Sequence, residues 1–280
     1  MTIWQADFYR RPLRDEAGES LWELLLCHPE TSWTWSALCP QVQATGSWVA
    51  EQLQQAANST PDGLPQQIQF FRPQSESAIA AAGKILNIQV QPQRHLAALK
   101  QQLQARAQQY STLPGYTGEP YQPLALDRPP PVPLPEALWG DRWRFAALPA
   151  GQLKTAFAQR PIPILEMPKT HLPVKLGLAS NLPVPGVVID GGRSAMRLAR
   201  WLQEHQPAFL TYIPGQPDGL ILEAGLVDRW VLTTFEDTEV AAAGKVYEQR
   251  KQQSRGLHFL LVQPDDAGVT YSGFWLLKAE

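Results

Sequence analysis

Apolar positions first alternate along this chain and then recur at helical spacing. Residues 4–12 and 21–27 read as two strands joined through the polar stretch 14–19. Residues 32–38, with Trp33, Trp35 and Ala37 on one face, read as a third strand. From Val42 the period lengthens: Val42, Val49, Leu53 and Ala56 predict a helix over 42–57. A fourth strand is expected over 67–71, and an alanine-rich helix over 75–86 with Ser75 as its cap. A fifth strand over 88–91 follows. A helix over 94–109, with Leu96, Leu99, Leu103 and Ala107 on one stripe, ends this half. The order strand-strand-strand-helix-strand-helix-strand-helix is that of the ribonuclease H-like fold, although order alone leaves the strand neighbours open.

The pattern then lapses. Residues 114–138 contain Pro129-Pro130-Pro131-Val132-Pro133-Leu134-Pro135, which favours a stiff extended segment poor in donors. It is expected to link a domain at 1–113 to one at 139–280, with a ligand for an aromatic groove as the alternative. In the second domain strands are expected at 142–148, 162–167, 187–189, 209–213, 220–222 and 230–235. Helices are expected at 151–159, 194–205 and 238–254, the last capped by Asp237 and stopped by Gly256. A hairpin of 257–262 and 269–277 closes a mixed α/β sheet. The class is α/β in two domains.

Composition narrows the function. With 280 residues, 44% hydrophobic and 18% charged, the chain has globular proportions. A formal net charge of −2 gives no bulk attraction to nucleic acid, so any polyanion must meet a local patch. Cys27 and Cys39 lack metal or redox spacing and fit buried thiols in a reducing compartment. The start carries no signal or transit pattern, and no apolar run is long enough to span a membrane, so a cytoplasmic location is expected.

Three constellations could carry chemistry. At Asp190-Gly191-Gly192-Arg193-Ser194 a strand gives way to a helix whose first amides suit a phosphate. Arg193, Arg197 and Arg200 recur at helical spacing beyond it. The stretch lacks the glycine and lysine pattern of nucleotide-hydrolysing or dinucleotide-binding loops, and a tight turn with a solvated basic face is the plainer reading.

Second, Pro217-Asp218 and Glu223-Ala224-Gly225 are similar to a PD-(D/E)-x-K nuclease signature with glycine in the lysine position. The plainer account puts Asp218 in a turn and pairs Glu223 with Arg229. With Asp190, these acids form a candidate polar cluster. The ribonuclease H-like order likewise offers Asp7 and Glu51 for metal. Its fourth strand, however, ends in Phe71-Arg72-Pro73, where an arginine would repel a cation. The histidines are scattered, so neither a metal nor a cofactor is expected.

Third, basic residues neighbour aromatics: Arg229 with Trp230, Arg200 with Trp201, and Arg10, Arg11 and Arg72 beside Phe8, Tyr9 and Phe71. Guanidinium groups hold phosphates and aromatic faces stack bases, which suits single-stranded RNA. The candidate RNA-binding set is therefore Arg193, Arg197, Arg200, Arg229, Trp230, Gly191, Gly192 and Ser194, with Arg10, Arg11 and Arg72 as a second patch.

Longer stretches carry a resemblance. They are Asp7-Phe8-Tyr9-Arg10-Arg11-Pro12, Leu21-Trp22-Glu23-Leu24-Leu25, Gly177-Leu178-Ala179-Ser180, Asp190-Gly191-Gly192-Arg193-Ser194, residues 212–230 and residues 256–266. Together they resemble the Tab-two family of oxygenic phototrophs, named for translation of the message of the photosystem I core subunit PsaB. The likeness spans nearly the whole chain and is densest after Gly177. It implies an RNA-binding factor and not an enzyme, acting on A/U-rich leader RNA in translation and photosystem biogenesis. The start of the chain fits a cyanobacterial-type member. Two other readings stay open: a protein-interaction module that assembles photosystems or grips the translation apparatus, and a residual metal-dependent nuclease.

Overall fold

Residues 4–8 are all buried, so strand β1 (Ile3–Arg14) is covered on both faces. The computed structural model describes residues 2–157 and 160–279, and the chain divides into two units, Met1–Asp127 and Arg128–Glu280. In the first unit β2 (Ser20–Cys27) and β3 (Thr34–Pro40) follow as antiparallel neighbours. After helix α1 (Gly46–Ala57) comes β4 (Gln67–Phe70), parallel to β1 on its other side. Helix α2 (Glu76–Leu86) leads to β5 (Gln89–Pro92), and α3 (Ala97–Gln109) ends the set. The sheet order is β3-β2-β1-β4-β5, which settles the neighbours that element order left open.

Strand alternation places Trp4, Ala6 and Phe8 on one face of β1 and Gln5, Asp7 and Arg11 on the other. Phe8 stacks on Trp48 of α1 at 5.6 Å, whereas Gln5 accepts a hydrogen bond from the Leu99 amide of α3 at 3.0 Å. The helices therefore cover opposite faces.

Two helix starts differ from the pattern. Val42 is 79% exposed, and α1 begins only at Gly46, because the Thr45 hydroxyl accepts the Trp48 amide at 3.2 Å and caps the helix there. Ser75 does not cap α2. Its buried hydroxyl accepts the Phe8 amide at 3.2 Å and donates to the Phe8 carbonyl at 3.0 Å, tying the helix entry to β1.

The proline-rich stretch is engaged at both ends. The Arg14 amide donates to the Gly115 carbonyl at 2.8 Å, and Arg72 donates to the Pro123 and Ala125 carbonyls at 2.7 and 2.8 Å. Strand β6 (Val132–Pro133) enters a ladder, and Leu134 and Leu138 are buried. Proline lacks a donor but keeps its carbonyl, so an extended proline run still accepts hydrogen bonds. Parts of the stretch 114–138 thus pack on their own units, with the division between the units at Asp127 and Arg128 falling inside it.

The second unit continues with β7 (Arg142–Pro149), α4 (Ala150–Phe157), β8 (Ile164–Glu166) and β9 (Pro183–Asp190). Helix α5 (Ala195–His205) and strands β10 (Pro207–Ile213), β11 (Asp218–Ala224) and β12 (Asp228–Phe235) follow. Helix α6 (Thr238–Gln253), capped by Asp237 as expected, precedes the closing pair β13 (Leu257–Gln263) and β14 (Gly273–Lys278). The end of the helix expected over 151–159 lies outside the described residues.

Two sheets result, β7-β9-β13-β14-β8 and β10-β11-β12-β6. Leu260, Val262, Trp275 and Leu277 face a core shared with Leu210, Leu220 and Leu222 of the smaller sheet and with α5. Phe259, Leu261, Phe274 and Leu276 face a second core with α4. Burial of both faces explains why β13 and β14 read as continuous apolar runs.

Candidate nucleic-acid interface

At the end of β9 the chain must turn sharply into α5. A Cβ on Gly191 would lie 2.6 Å from the Ala195 Cα, and Gly192 has φ of +52°, so both positions demand glycine. Asp190 anchors the turn: its buried carboxylate accepts from Gln263 at 2.8 Å, Arg144 at 2.8 Å and Arg142 at 3.3 Å. Burial alone would raise its pKa. The hydrogen bonds from Gln263 and Arg144 and the charges of Arg144 and Arg142 outweigh it and hold the carboxyl below its ordinary value.

The expected amide cradle is corrected. The Gly191 and Gly192 amides donate to the Gln263 and Pro264 carbonyls at 2.8 and 2.9 Å, and the Ser194 amide donates to the Gly191 carbonyl at 2.9 Å. The Asp141 carboxylate also lies where a Cβ on Gly192 would project. The three residues shape the turn, and their amides are spoken for.

The guanidinium groups beyond the turn are different. Arg193, Arg197 and Arg200 are exposed, and none enters an ion pair among the described residues. A long hydrogen bond runs from Arg197 Nη1 to the Ala137 carbonyl at 3.5 Å. Four-residue spacing continues the Arg193–Arg197 row to Trp201 and His205. Trp201 stacks on His205 at 4.0 Å and 23°. Trp230 meets both rings edge-on, at 5.0 and 5.4 Å. A row of positive charge therefore runs into a half-buried aromatic cluster on one side of α5. The reading of residues pair by pair missed His205 and the place of Trp201. The signal that finds them is the repeat at 193, 197, 201 and 205.

The remaining candidates are placed elsewhere. Arg229 is partly engaged, as the plainer sequence account has it: its Nε holds buried Glu223 Oε1 at 2.9 Å across the β11–β12 register, with 21% of the side chain exposed. Asp218 accepts the Tyr212 hydroxyl at 2.9 Å and the Gly215 amide at 2.6 Å, clamping the β10–β11 turn. Asp190, Asp218 and Glu223 serve separate partners, so the polar cluster is not one site. Among the described residues no group of three or more histidine, cysteine or acidic side chains could hold a metal.

In the first unit Arg10 is exposed, but Arg11 and Arg72 are buried and do not form a surface patch. Arg11 bridges Asp7 at 2.9 Å and Glu23 at 3.0 Å, and Arg72 holds the other Asp7 oxygen at 2.8 Å while lying 4.2 Å over the Tyr9 ring. Glu23 also pairs with Arg106 at 2.8 Å and accepts the Tyr110 hydroxyl. Burial would drive the proton off Arg11, but the neighbouring Asp7, Tyr121, Tyr110 and Glu23 reverse this and raise its pKa.

Comparison with known proteins decides the family. A model described as RNA-binding protein Tab2/Atab2, C-terminal domain, matches residues 121–278, and its N-terminal counterpart matches residues 3–106. The chain belongs to the Tab2/Atab2 family. Relatives of the family named protein TAB2 homolog, chloroplastic, are 30% identical in Arabidopsis thaliana and 29% in Zea mays. The matches cover 98% of this chain in both cases, and 74% and 70% of those proteins. Among solved structures, a simian T-cell lymphotropic virus intasome with PP2A regulatory subunit B56 gamma matches at 12% identity and a TM-score of 0.31. That match covers 51% of this chain and 61% of its own, too weak a likeness to bear on the fold. The Tab2/Atab2 description is of RNA-binding proteins and names no enzymatic activity. Among the described residues no helix is long and apolar enough to cross a membrane.

Proposed function

We propose that this Tab2/Atab2 member binds single-stranded, A/U-rich leader RNA along α5 and thereby supports translation of photosystem core subunits. The observation that carries the reading is the row of unpaired, exposed Arg193, Arg197 and Arg200 leading to Trp201, His205 and Trp230. Phosphates meet the guanidinium groups, and bases stack on the exposed part of the aromatic cluster. Ser194, Gly191 and Gly192 position the helix start, while Arg229 braces the neighbouring strand. The proposed compartment is the cytoplasm, with which two free, buried cysteines agree.

Filter binding of the full chain to an A/U-rich leader and to a control RNA across a salt series tests this. Arg193→Ala with Arg197→Ala is expected to weaken binding by about 1–3 kcal/mol and to flatten the salt slope by about one unit per arginine removed. Native affinity and slope in that variant would remove α5 from the interface.

In the first unit we read a ribonuclease H-like scaffold in which guanidinium groups stand where metal would be held. The clamping of Asp7 between Arg11 and Arg72 supports this. Labelled RNA incubated with Mg²⁺ or Mn²⁺ should stay intact; protein-dependent cleavage would restore the nuclease reading. Exposed Val132 and Trp139 on the proline-rich segment favour a second reading, contact with an assembly or translation protein. Nuclease-resistant capture of one defined partner would support it.

A further inference from the structure

Protein interiors are close-packed and leave few voids larger than a water molecule. At the surface of the second unit, by contrast, an open cleft of about 510 Å³ is lined by residues of both its sheets. Leu198, Val187, Ile189, Leu220, Leu232 and Thr233 line it. The proline-rich segment forms one wall through Pro133, Leu134, Leu138 and Trp139. That segment is attached by the two-residue strand β6 and the Leu134 amide, which donates to the Val231 carbonyl at 3.1 Å, while the Trp139 indole, 56% exposed, bonds within the segment to the Leu134 carbonyl at 2.9 Å. Gly140 closes its end; a Cβ there would lie 2.7 Å from the Ile189 side chain.

We propose that this cleft is a binding site for a neutral, largely apolar ring compound. Its volume falls in the range of small-molecule sites, roughly 300–1,000 Å³, and its lining has the usual character of aliphatic and aromatic walls with a few polar groups. The indoles of Trp139 and Trp143 offer flat surfaces, and the Thr233 and Thr234 hydroxyls can meet one polar substituent. Neutrality follows from the charge at the mouth. Arg142 is already matched by Asp266 at 2.7 Å and Asp190 at 3.3 Å, and Asp190 is shared with Arg144. Among the residues that line the cleft Arg142 is the one cation, and it is matched. A nucleobase is disfavoured because its polar edge would face mostly hydrocarbon. No arginine of the row lines the cleft, although Arg197 reaches the adjoining Ala137 carbonyl at 3.5 Å, and the proposal does not depend on the RNA reading.

The probe is Nile red, a neutral planar dye that brightens in apolar surroundings, titrated into the full chain. Saturable one-to-one binding with quenching of tryptophan emission is expected. Leu232→Trp, which fills the cleft, should lower dye affinity roughly tenfold or more. Trp139→Ala, at an exposed position, should also weaken it and keep the native melting curve, so it decides the matter if the first variant fails to fold. Arg193→Ala with Arg200→Ala, which leaves the Arg197 contact to the Ala137 carbonyl in place, should bind the dye as the native chain does. Absence of saturable binding, or native affinity in a folded Leu232→Trp or Trp139→Ala variant, would overturn the site. Displacement of the dye by adenosine or uridine monophosphate would overturn its neutral, apolar class.

Discussion

Arg11 and Arg72 in the first unit and Arg193, Arg197 and Arg200 in the second are the same side chain in similar aromatic company, yet their surroundings are opposite. The first two are buried and spend their donors on Asp7, Glu23, Tyr121 and three backbone carbonyls. The other three stand in solvent beyond a glycine turn. A buried guanidinium stabilises only while its partners stay matched, whereas an exposed one remains free to exchange water for a phosphate. An arginine beside an aromatic therefore says nothing about binding until burial is known.

Several changes would break or sharpen this contrast. Arg72→Ala leaves the Asp7 carboxylate short of a partner in a dry site, and about 3–5 kcal/mol of stability should be lost in denaturant melts. Adding Asp7→Asn should recover part of that loss, and a purely additive pair would show that the two groups are not coupled. Arg193→Ala with Arg197→Ala should do the reverse, keeping the native melt while RNA affinity falls by about 1–3 kcal/mol.

A titratable group inside the second unit extends the comparison. Burial pulls the pKa of His258 down to about 3 from 6.5, with Lys251 and His171 adding repulsion and the Gly256 carbonyl opposing. The ring is neutral, its Nε2 accepting the Leu210 amide at 2.9 Å and its Nδ1 donating to the Gly256 carbonyl at 2.8 Å. The folded value lies below the unfolded one, so its full contribution is present above about pH 6.5 and falls as pH drops towards 3. Between pH 7 and pH 5 the native chain should lose about 2 kcal/mol from this group, and His258→Gln should remove that slope. The smallest effect is expected at exposed Arg10, where alanine should change stability by less than about 0.5 kcal/mol.

Much of the architecture was legible before any coordinates. Strand periods and helical stripes placed most elements within a few residues, because burying one face imposes a period of two or 3.6 on the sequence. Missed boundaries have local causes. Val42 fits a helical stripe but lies before the Thr45 cap, and Ser75 looks like a cap but serves β1 instead. The β6 pairing was hidden because a non-proline residue inside a proline run still has its amide: Leu134 donates to the Val231 carbonyl at 3.1 Å.

The sequence by itself determined the α/β class, the family, the acids and arginines available, and the glycine turn into α5. Those follow from residue identity and near-neighbour spacing. Only the tertiary structure decided which arginines are free. Arg11 meets Glu23 from the neighbouring strand and Arg72 meets Asp7 across 65 positions, whereas the Arg229–Glu223 pair, six residues apart, was already within reach of the sequence. Charge neutralisation depends on distances through space between groups far apart in the chain, and spacing along one strand or helix cannot encode them.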